Sequence, residues 1–341
     1  MGLVSLLKKR NRKLLFTTPS HSQKYFIFHK FRQFYKCDIS ETDAYEPQAA
    51  LEDAQTKASK VYGTKYTYFL TNGSTSGIIA AVLACTNRGD KVLIWDKAHQ
   101  SHLNAVKLAG CTPVYYSLPD IKDWGVPGKT TPELIDIKGV KAVIVTSPTY
   151  EGIVSDIEAL KNICRKNNAF LIVDEAHGAL YPFSDKLPQS AVNIADFTIQ
   201  SLHKTAGGLN PTALLHVNCD INASNAISMI NTTSPSYPLL ASIEANISFL
   251  NSSRGRKKID KLVTTITDLK TNIKNIEFGG DDITKILIKH TNLSGFDLSE
   301  KLYNEFNIED EKTNSVSTML LCGIGTDEKK LEQLFKSLSK I

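Results

Sequence analysis

Between positions 65 and 217 the chain alternates two textures: short apolar runs and segments of helical periodicity. Runs such as "KVLIW", "AVIVT", "FLIV" and "ALLHV" carry almost no polar face. Successive side chains of a strand point to opposite sides, so strands like these must be covered above and below. Alternation with helices then means parallel strands joined by crossover helices. Strands are predicted in "KYTYFLTNG", "DKVLIWD", "CTPVYYSL", "VKAVIVTSPTY", "AFLIVDEAHG", "ADFTIQSLHK" and "TALLHV". Helices are predicted in "LEDAQTKASKVY", "STSGIIAAVLACT", "HQSHLNAVKLAG" and "DIEALKNICRKNN". The class is α/β, with a mostly parallel sheet sandwiched by helices.

The flanks read differently. Residues 1–50 look like an arm, first basic, then aromatic ("KYFIFHKFRQFY"), then acidic. Past about Pro235 two helical stretches lead into a tail in which strands "ITKILIKH" and "VSTMLLCGIG" alternate with two helices. The division expected is an arm over 1–50, a large domain over 51–240 and a small α+β domain over 241–341. A chain of 341 residues has room for both domains.

Composition excludes some functions. A net charge of +5 is too mild to indicate nucleic acid. No apolar run approaches the ~20 residues that span a bilayer. The start lacks a signal-peptide core, and Leu6 breaks the myristoylation pattern. The six cysteines are scattered with no CxxC pair, so no zinc or redox motif is expected. Reduced thiols in a cytoplasmic protein are the expectation.

In open α/β sheets, chemistry gathers beyond the carboxyl ends of the strands. Four of the expected strands end in polar residues. "FLTNGSTSG" sets Ser74 and Thr75 at a turn entering a helix, where N–H groups, hydroxyls and the helix dipole suit an anion, although simple capping would use the same residues. "FLIVDEAHG" brings Asp174, Glu175 and His177 to the end of a buried strand. "DKAHQSHL" places His99 and His102 after another. "SLHKTAGG" places Ser201, His203 and a lone Lys204 after a third. A desolvated lysine near other cations is a nucleophile toward carbonyls. Singly each has a bland explanation. Together, an anion cradle, a carboxylate, a histidine able to stack on a ring and a lysine are the equipment for pyridoxal 5'-phosphate.

These residues bring out a resemblance. From about Pro19 onward the chain resembles the Orn/Lys/Arg decarboxylases in their short bacterial form, most closely in "FLTNGSTSGIIA", "SPTYEGIVSDIEAL", "LIVDEAHGA", "SLHKT" and "TTSPSYPLLASIE". The resemblance implies the aspartate-aminotransferase (type I) fold, with a sheet of seven-stranded type. It implies a pyridoxal-phosphate-dependent lyase that removes CO2 from lysine, ornithine or an arginine-like amino acid through an external aldimine and a quinonoid. Lys204 would form the internal aldimine. Ser74 and Thr75 would bind phosphate, with Ser201 and His203 near it. His99 would stack on the ring and return a proton, Asp174 would pair with the ring nitrogen, and His177 would lie near the ring or its 3-hydroxyl. Ser234 would reach the phosphate of a neighbouring subunit, which implies a homodimer or larger homo-oligomer with shared sites.

Departures from the family fall around the substrate. "TPSHSQ" stands for a "PGHKQG"-like segment, "TDAYEPQ" for an acidic "GLDDLHHP"-like one, and "TAGGLNP" for the usual sequence after the lysine. The family's long C-terminal domain has no counterpart. Asp43 and Glu46 are the arm's candidates for a substrate's distal cation. The rivals are transamination or elimination on the same cofactor, and a non-catalytic partner protein. No arginine follows Arg256, which disfavours an aminotransferase-type grip on the substrate carboxylate.

Overall fold

The computed structural model describes residues 14–16, 49–233, 235–271 and 273–341. Its main sheet has seven strands: β1 (Tyr66–Leu70), β2 (Lys91–Trp95), β3 (Thr112–Tyr116), β4 (Ala142–Thr146), β5 (Phe170–Asp174), β6 (Phe197–Ser201) and β7 (Ala213–Val217). They lie in the order β1-β7-β6-β5-β4-β2-β3. Only β7 runs against its neighbours. The other registers are parallel, Ile144 standing opposite Ile172 and Val173 opposite Thr198. The seven predicted strands are all present.

Alternation along each strand explains the two covering layers. On β4, Ala142 and Ile144 enter one core, and Val143 and Val145 enter the other. The first core takes Ile78, Ala81 and Val82 from helix α2 (Gly73–Cys85) and Ala105 and Val106 from α3 (Gln100–Leu108). It also holds Ala54 and Ala58 of α1 (Ala49–Tyr62). The second core takes Ile157, Leu160 and Cys164 from α4 (Ile157–Lys166), which starts on an Asp156 side-chain cap. Strands buried on both faces leave no room for a polar stripe, which is why the sequence shows none.

The short helix α5 (Ser224–Ile230) precedes α6 (Tyr237–Asn251) and α7 (Ser253–Lys270). α6 crosses the expected boundary at 240/241 and puts Leu240, Ile243, Ile247 and Leu250 into the first core. The chain then builds an antiparallel sheet from β8 (Ile276–Gly279), β9 (Lys285–His290), β10 (Lys312–Thr313) and β11 (Thr318–Leu321), ordered β8-β9-β11-β10. On one face Ile286, Ile288 and Leu320 pack with α7, α8 (Gly295–Glu305) and α9 (Glu328–Leu338). On the other, Leu287, Met319 and Leu321 meet Val126 and Ile153 of the first unit. Of the expected arm, Leu14–Leu15 pairs in parallel with Ile308–Glu309, and Phe16 is fully buried in the second unit's core. Asp43 and Glu46 lie outside the described residues. Among the described residues no helix is long and apolar enough to cross a membrane.

Candidate active site

The carboxyl ends of the parallel strands open into a cavity of about 1030 Å3. Its wall includes Ser74, Thr75, His99, Asp174, His177, His203 and Lys204, so the fold brings together seven of the nine residues the sequence singles out. Ser201 ends β6, fully buried behind the wall, and its hydroxyl finds no partner among the described residues. Ser234 lies outside the described residues.

Lys204 sits on a wide π-type turn, Leu202–Ala206, directly after β6. Three anchors hold this turn. Leu202 N donates to the Thr212 carbonyl at 3.0 Å, Asn246 Nδ2 to the Ala206 carbonyl at 2.8 Å, and Ile324 N of the second unit to the Thr205 carbonyl at 2.9 Å. Gly207 closes the turn at φ +82°, a conformation that favours glycine. A Cβ on Gly208 would meet the Leu202 Cβ at 2.7 Å. The glycine pair of "TAGGLNP" therefore serves the turn, and only Asn210 and Pro211 of that segment reach the cavity.

The Lys204 amine lies 3.0 Å from His177 Nε2. Burial lowers the lysine's pKa, Lys285 adds to the effect, and Asp174 and Glu311 oppose it. His177 is buried and held well below its ordinary pKa by desolvation, then by Lys204 and Lys285. A neutral imidazole at this position accepts from the lysine through Nε2, which places its proton on Nδ1, a buried atom without a partner among the described residues. The ring of Tyr150 packs against it, centroids 4.6 Å apart. His203 bonds the Thr212 carbonyl through Nδ1 at 3.2 Å, and burial lowers its pKa.

Asp174 ends β5. Burial alone would raise its pKa, but the hydrogen bond and charge of His102, the charge of Lys204 and the Ala176 N–H outweigh it and hold the carboxyl below its usual range. His102 Nε2 meets Asp174 Oδ2 at 2.9 Å, with the histidine fully buried. His99 caps α3, its Nδ1 accepting from Ser101 N at 3.2 Å, and faces the cavity. Burial lowers its pKa too.

Across the cavity is the start of α2. Asn72 precedes it but makes no side-chain cap. The hydroxyls of Ser74 and Thr75 have no partner among the described residues. Gly73 N donates to the Pro211 carbonyl at 2.7 Å, and the N–H groups that follow it at the positive end of the helix, with two uncommitted hydroxyls, form a receptor for a phosphate. The donor set fits pyridoxal phosphate: an anion seat, a buried ionised carboxylate, and a partly desolvated amine beside a neutral imidazole. Thr146 and His177 both line the cavity, and Thr146 Oγ1 and His177 Nδ1 are buried with no partner among the described residues.

Several contributors were missed by sequence reasoning. His102 stands beside His99 in the sequence, but helical spacing does not say which of the two turns inward. Tyr150 and Glu151 lie in "SPTYEGIVSDIEAL", where nothing local gives them a role. They reach into the second unit, where the Tyr150 hydroxyl bonds Glu311 and Glu151 accepts from Lys312 Nζ at 2.6 Å. Lys285 had no signal beyond an aspartate three residues before it.

The sequence profile described as "Orn/Lys/Arg decarboxylase, major domain" matches residues 6–292. The chain is similar to the arginine decarboxylase of Halalkalibacterium halodurans, 27% identical over 326 residues, covering 88% of this chain and 66% of that protein. It superposes on the lysine decarboxylase of Francisella novicida with a TM-score of 0.79 at 22% identity, over 92% of this chain and 54% of that one. The aspartate aminotransferase of Thermotoga maritima shares the fold at a TM-score of 0.65 and 18% identity, over 99% and 94% of the two chains. The chain thus has the type I fold, and it spans 66% and 54% of the two decarboxylases it matches.

Proposed function

This chain belongs to the Orn/Lys/Arg decarboxylase family, and on that premise we propose that it carries the cofactor site of a pyridoxal-phosphate-dependent decarboxylase of a basic amino acid. The observation that carries the reading is Lys204, whose amine lies 3.0 Å from a neutral His177 on the same cavity wall as the ionised Asp174. Bound pyridoxal phosphate supplies an aldehyde for an amine and a ring that takes up the electron pair left by departing CO2.

Each residue then has a task. Ser74, Thr75 and the first-turn N–H groups of α2 beyond Gly73 bind the phosphate, and His203 stands near it. Asp174 holds positive charge on the ring nitrogen, a preorganised electrostatic contribution. Lys204 contributes the amine and releases the product. His177 accepts from the Lys204 amine and keeps it oriented. His99, neutral and facing the cavity, stacks on the ring and moves a proton. The cavity also presents Asp120, a carboxylate able to face a distal ammonium or guanidinium, whereas Glu151 on the same wall is paired with Lys312. Relatives named for arginine, lysine and ornithine make these the first substrates to try. Among the described residues no arginine lines the cavity, which disfavours transamination. A homodimer with Ser234 completing the neighbour's phosphate site, in the cytoplasm, completes the proposal.

The test is incubation of the loaded chain with arginine, lysine and ornithine, with products read by mass spectrometry. The amine lacking CO2 is the expected product. A keto acid, or no turnover of any of the three, overturns the reading. Lys204→Ala is expected to abolish both turnover and the visible absorbance of bound cofactor; persistence of that absorbance overturns the lysine's role.

A further inference from the structure

Lys285 opens β9 of the second sheet, and its side chain is fully buried. An ammonium keeps its charge in such a place only if partners surround it. Its Nζ donates to Asp282 Oδ2 at 2.6 Å, to the His177 carbonyl at 2.6 Å and to Thr284 Oγ1 at 3.3 Å. Asp282, equally buried, accepts from the Tyr181 hydroxyl at 2.6 Å and from the N–H and hydroxyl of Thr284 at 2.8 and 2.7 Å. Neither member of the ion pair lines the cavity. Stability does not account for the pair, since apolar side chains of similar volume serve a core as well or better. What an apolar pair lacks is a grip on the backbone of His177, the residue whose imidazole meets Lys204.

We propose that Lys285 is a positioning residue for the Lys204–His177 pair: from the second sheet its ammonium pins the His177 carbonyl and turns a buried positive charge toward the Lys204 amine. The charges around that amine agree. Asp174 on β5 and Glu311 of the second unit favour its protonated form, whereas burial and then Lys285 disfavour it. His177 feels burial, Lys204, Lys285, His203 and Lys312, all in the same downward direction. His99 faces the group from the start of α3 and is itself depressed by burial and by Lys204. The cation of the pair acts on the site more strongly than its anion, because the ammonium is the end bonded to His177. An amine that gives up its proton more readily is what attack on an aldehyde needs. This role rests on Lys204 being the imine-forming residue.

The test uses the cofactor-free full chain. Lys204 is labelled with trinitrobenzenesulfonate across a pH series, and its rate of modification is followed by mass spectrometry. Lys285→Met combined with Asp282→Asn removes the pair without stranding a charge. The titration of labelling should then move upward, so that labelling at a fixed pH below it slows about tenfold. Lys285→Arg, which keeps charge and donors, should retain the wild-type profile. An unchanged profile in the double variant overturns the proposal. So does a Lys285→Arg profile as displaced as the double variant's in a chain of native circular dichroism, because packing would then be the cause. Should that double variant not fold, Lys285→Gln with Asp282→Asn, which keeps polar side chains at both positions, carries the same expectation and the same refutation. The labelling needs neither cofactor nor turnover. Failure of the wild-type chain to bind pyridoxal phosphate would overturn the function while leaving this result standing, and the converse also holds.

Discussion

Asp174 shows what a single buried carboxylate demands. Desolvation pushes it toward the neutral acid, and it stays ionised only because His102, Lys204 and the Ala176 N–H act together against burial. A carboxylate kept ionised in the interior can hold a cationic ring nitrogen; a neutral amide cannot. Asp174→Asn should leave the fold intact, since an amide oxygen still bonds His102. It should reduce turnover at least about a hundredfold, the scale of losing one preorganised electrostatic partner. Steady-state rates on the substrate found active would check this, and a loss of only a few-fold would remove Asp174 from its role. Asp174 was legible in sequence because a carboxylate at the end of "FLIV" has no apolar reason to be there. Its partner His102 was not, because only the pitch and docking of α3 decide which histidine points at β5.

At the level of elements, the strands hold a second buried polar chain that takes no part in the cavity wall. Thr67 on β1 bonds His216 on β7 at 2.9 Å, His216 reaches Gln200 on β6 at 3.3 Å, and Gln200 donates to Glu175 after β5 at 2.6 Å. Ser190 and the Ala191 N–H complete the Glu175 carboxylate, each at 2.7 Å. Burial pushes the Glu175 carboxyl up from 4.5 to about 7, against these donors. A carboxyl raised in the folded state favours folding when protonated. Its stabilisation is present in full below pH 4.5 and is lost as pH rises through about 7. Glu175→Gln, neutral throughout, should therefore flatten the fall in stability over this range, removing on the order of 3 kcal/mol of pH dependence. Denaturant midpoints at both ends of the range measure it; equal slopes in the two proteins would refute it. The sequence showed Glu175 beside Asp174 without separating them. Alternation along the strand end separates them, sending one carboxylate to the cavity and the other under the sheet.

Across the whole molecule, the cavity is bounded by two units, and residues 150–154 form one of the stretches along which they meet. Tyr150 bonds Glu311, Glu151 bonds Lys312, and the Gly152 carbonyl accepts from the N–H groups of Asp281 and Asp282 at 3.0 and 3.1 Å. Val154 N donates to Asp281 Oδ2 at 2.8 Å. Gly152 has φ +90°, and a Cβ there would meet the Lys285 Cβ at 3.0 Å and the Asp282 Cβ at 3.3 Å. Gly152→Ala should cost about 1–3 kcal/mol in backbone strain and displace the second unit. Pyridoxal phosphate should bind more weakly as well, because Lys285 and Lys312 move with that unit. Equilibrium unfolding and cofactor titration check the two parts, and native affinity in a destabilised variant would show that the contact does not shape the site.

The amino-acid order by itself determined the class of the main unit and singled out seven residues that share the cavity wall. Apolar runs too short for helices and too uniform for one-sided strands have to form a covered parallel sheet, and polar residues at their carboxyl ends have to share one edge. Tertiary structure alone decided the supports: His102 on Asp174, Lys285 on His177, Lys312 on Glu151. Each joins residues far apart in the chain. Such pairings leave no local period or motif, because the energy that selects them is the cost of burying a charge, and that cost exists only once the surrounding elements, within one unit or across both, have packed around it.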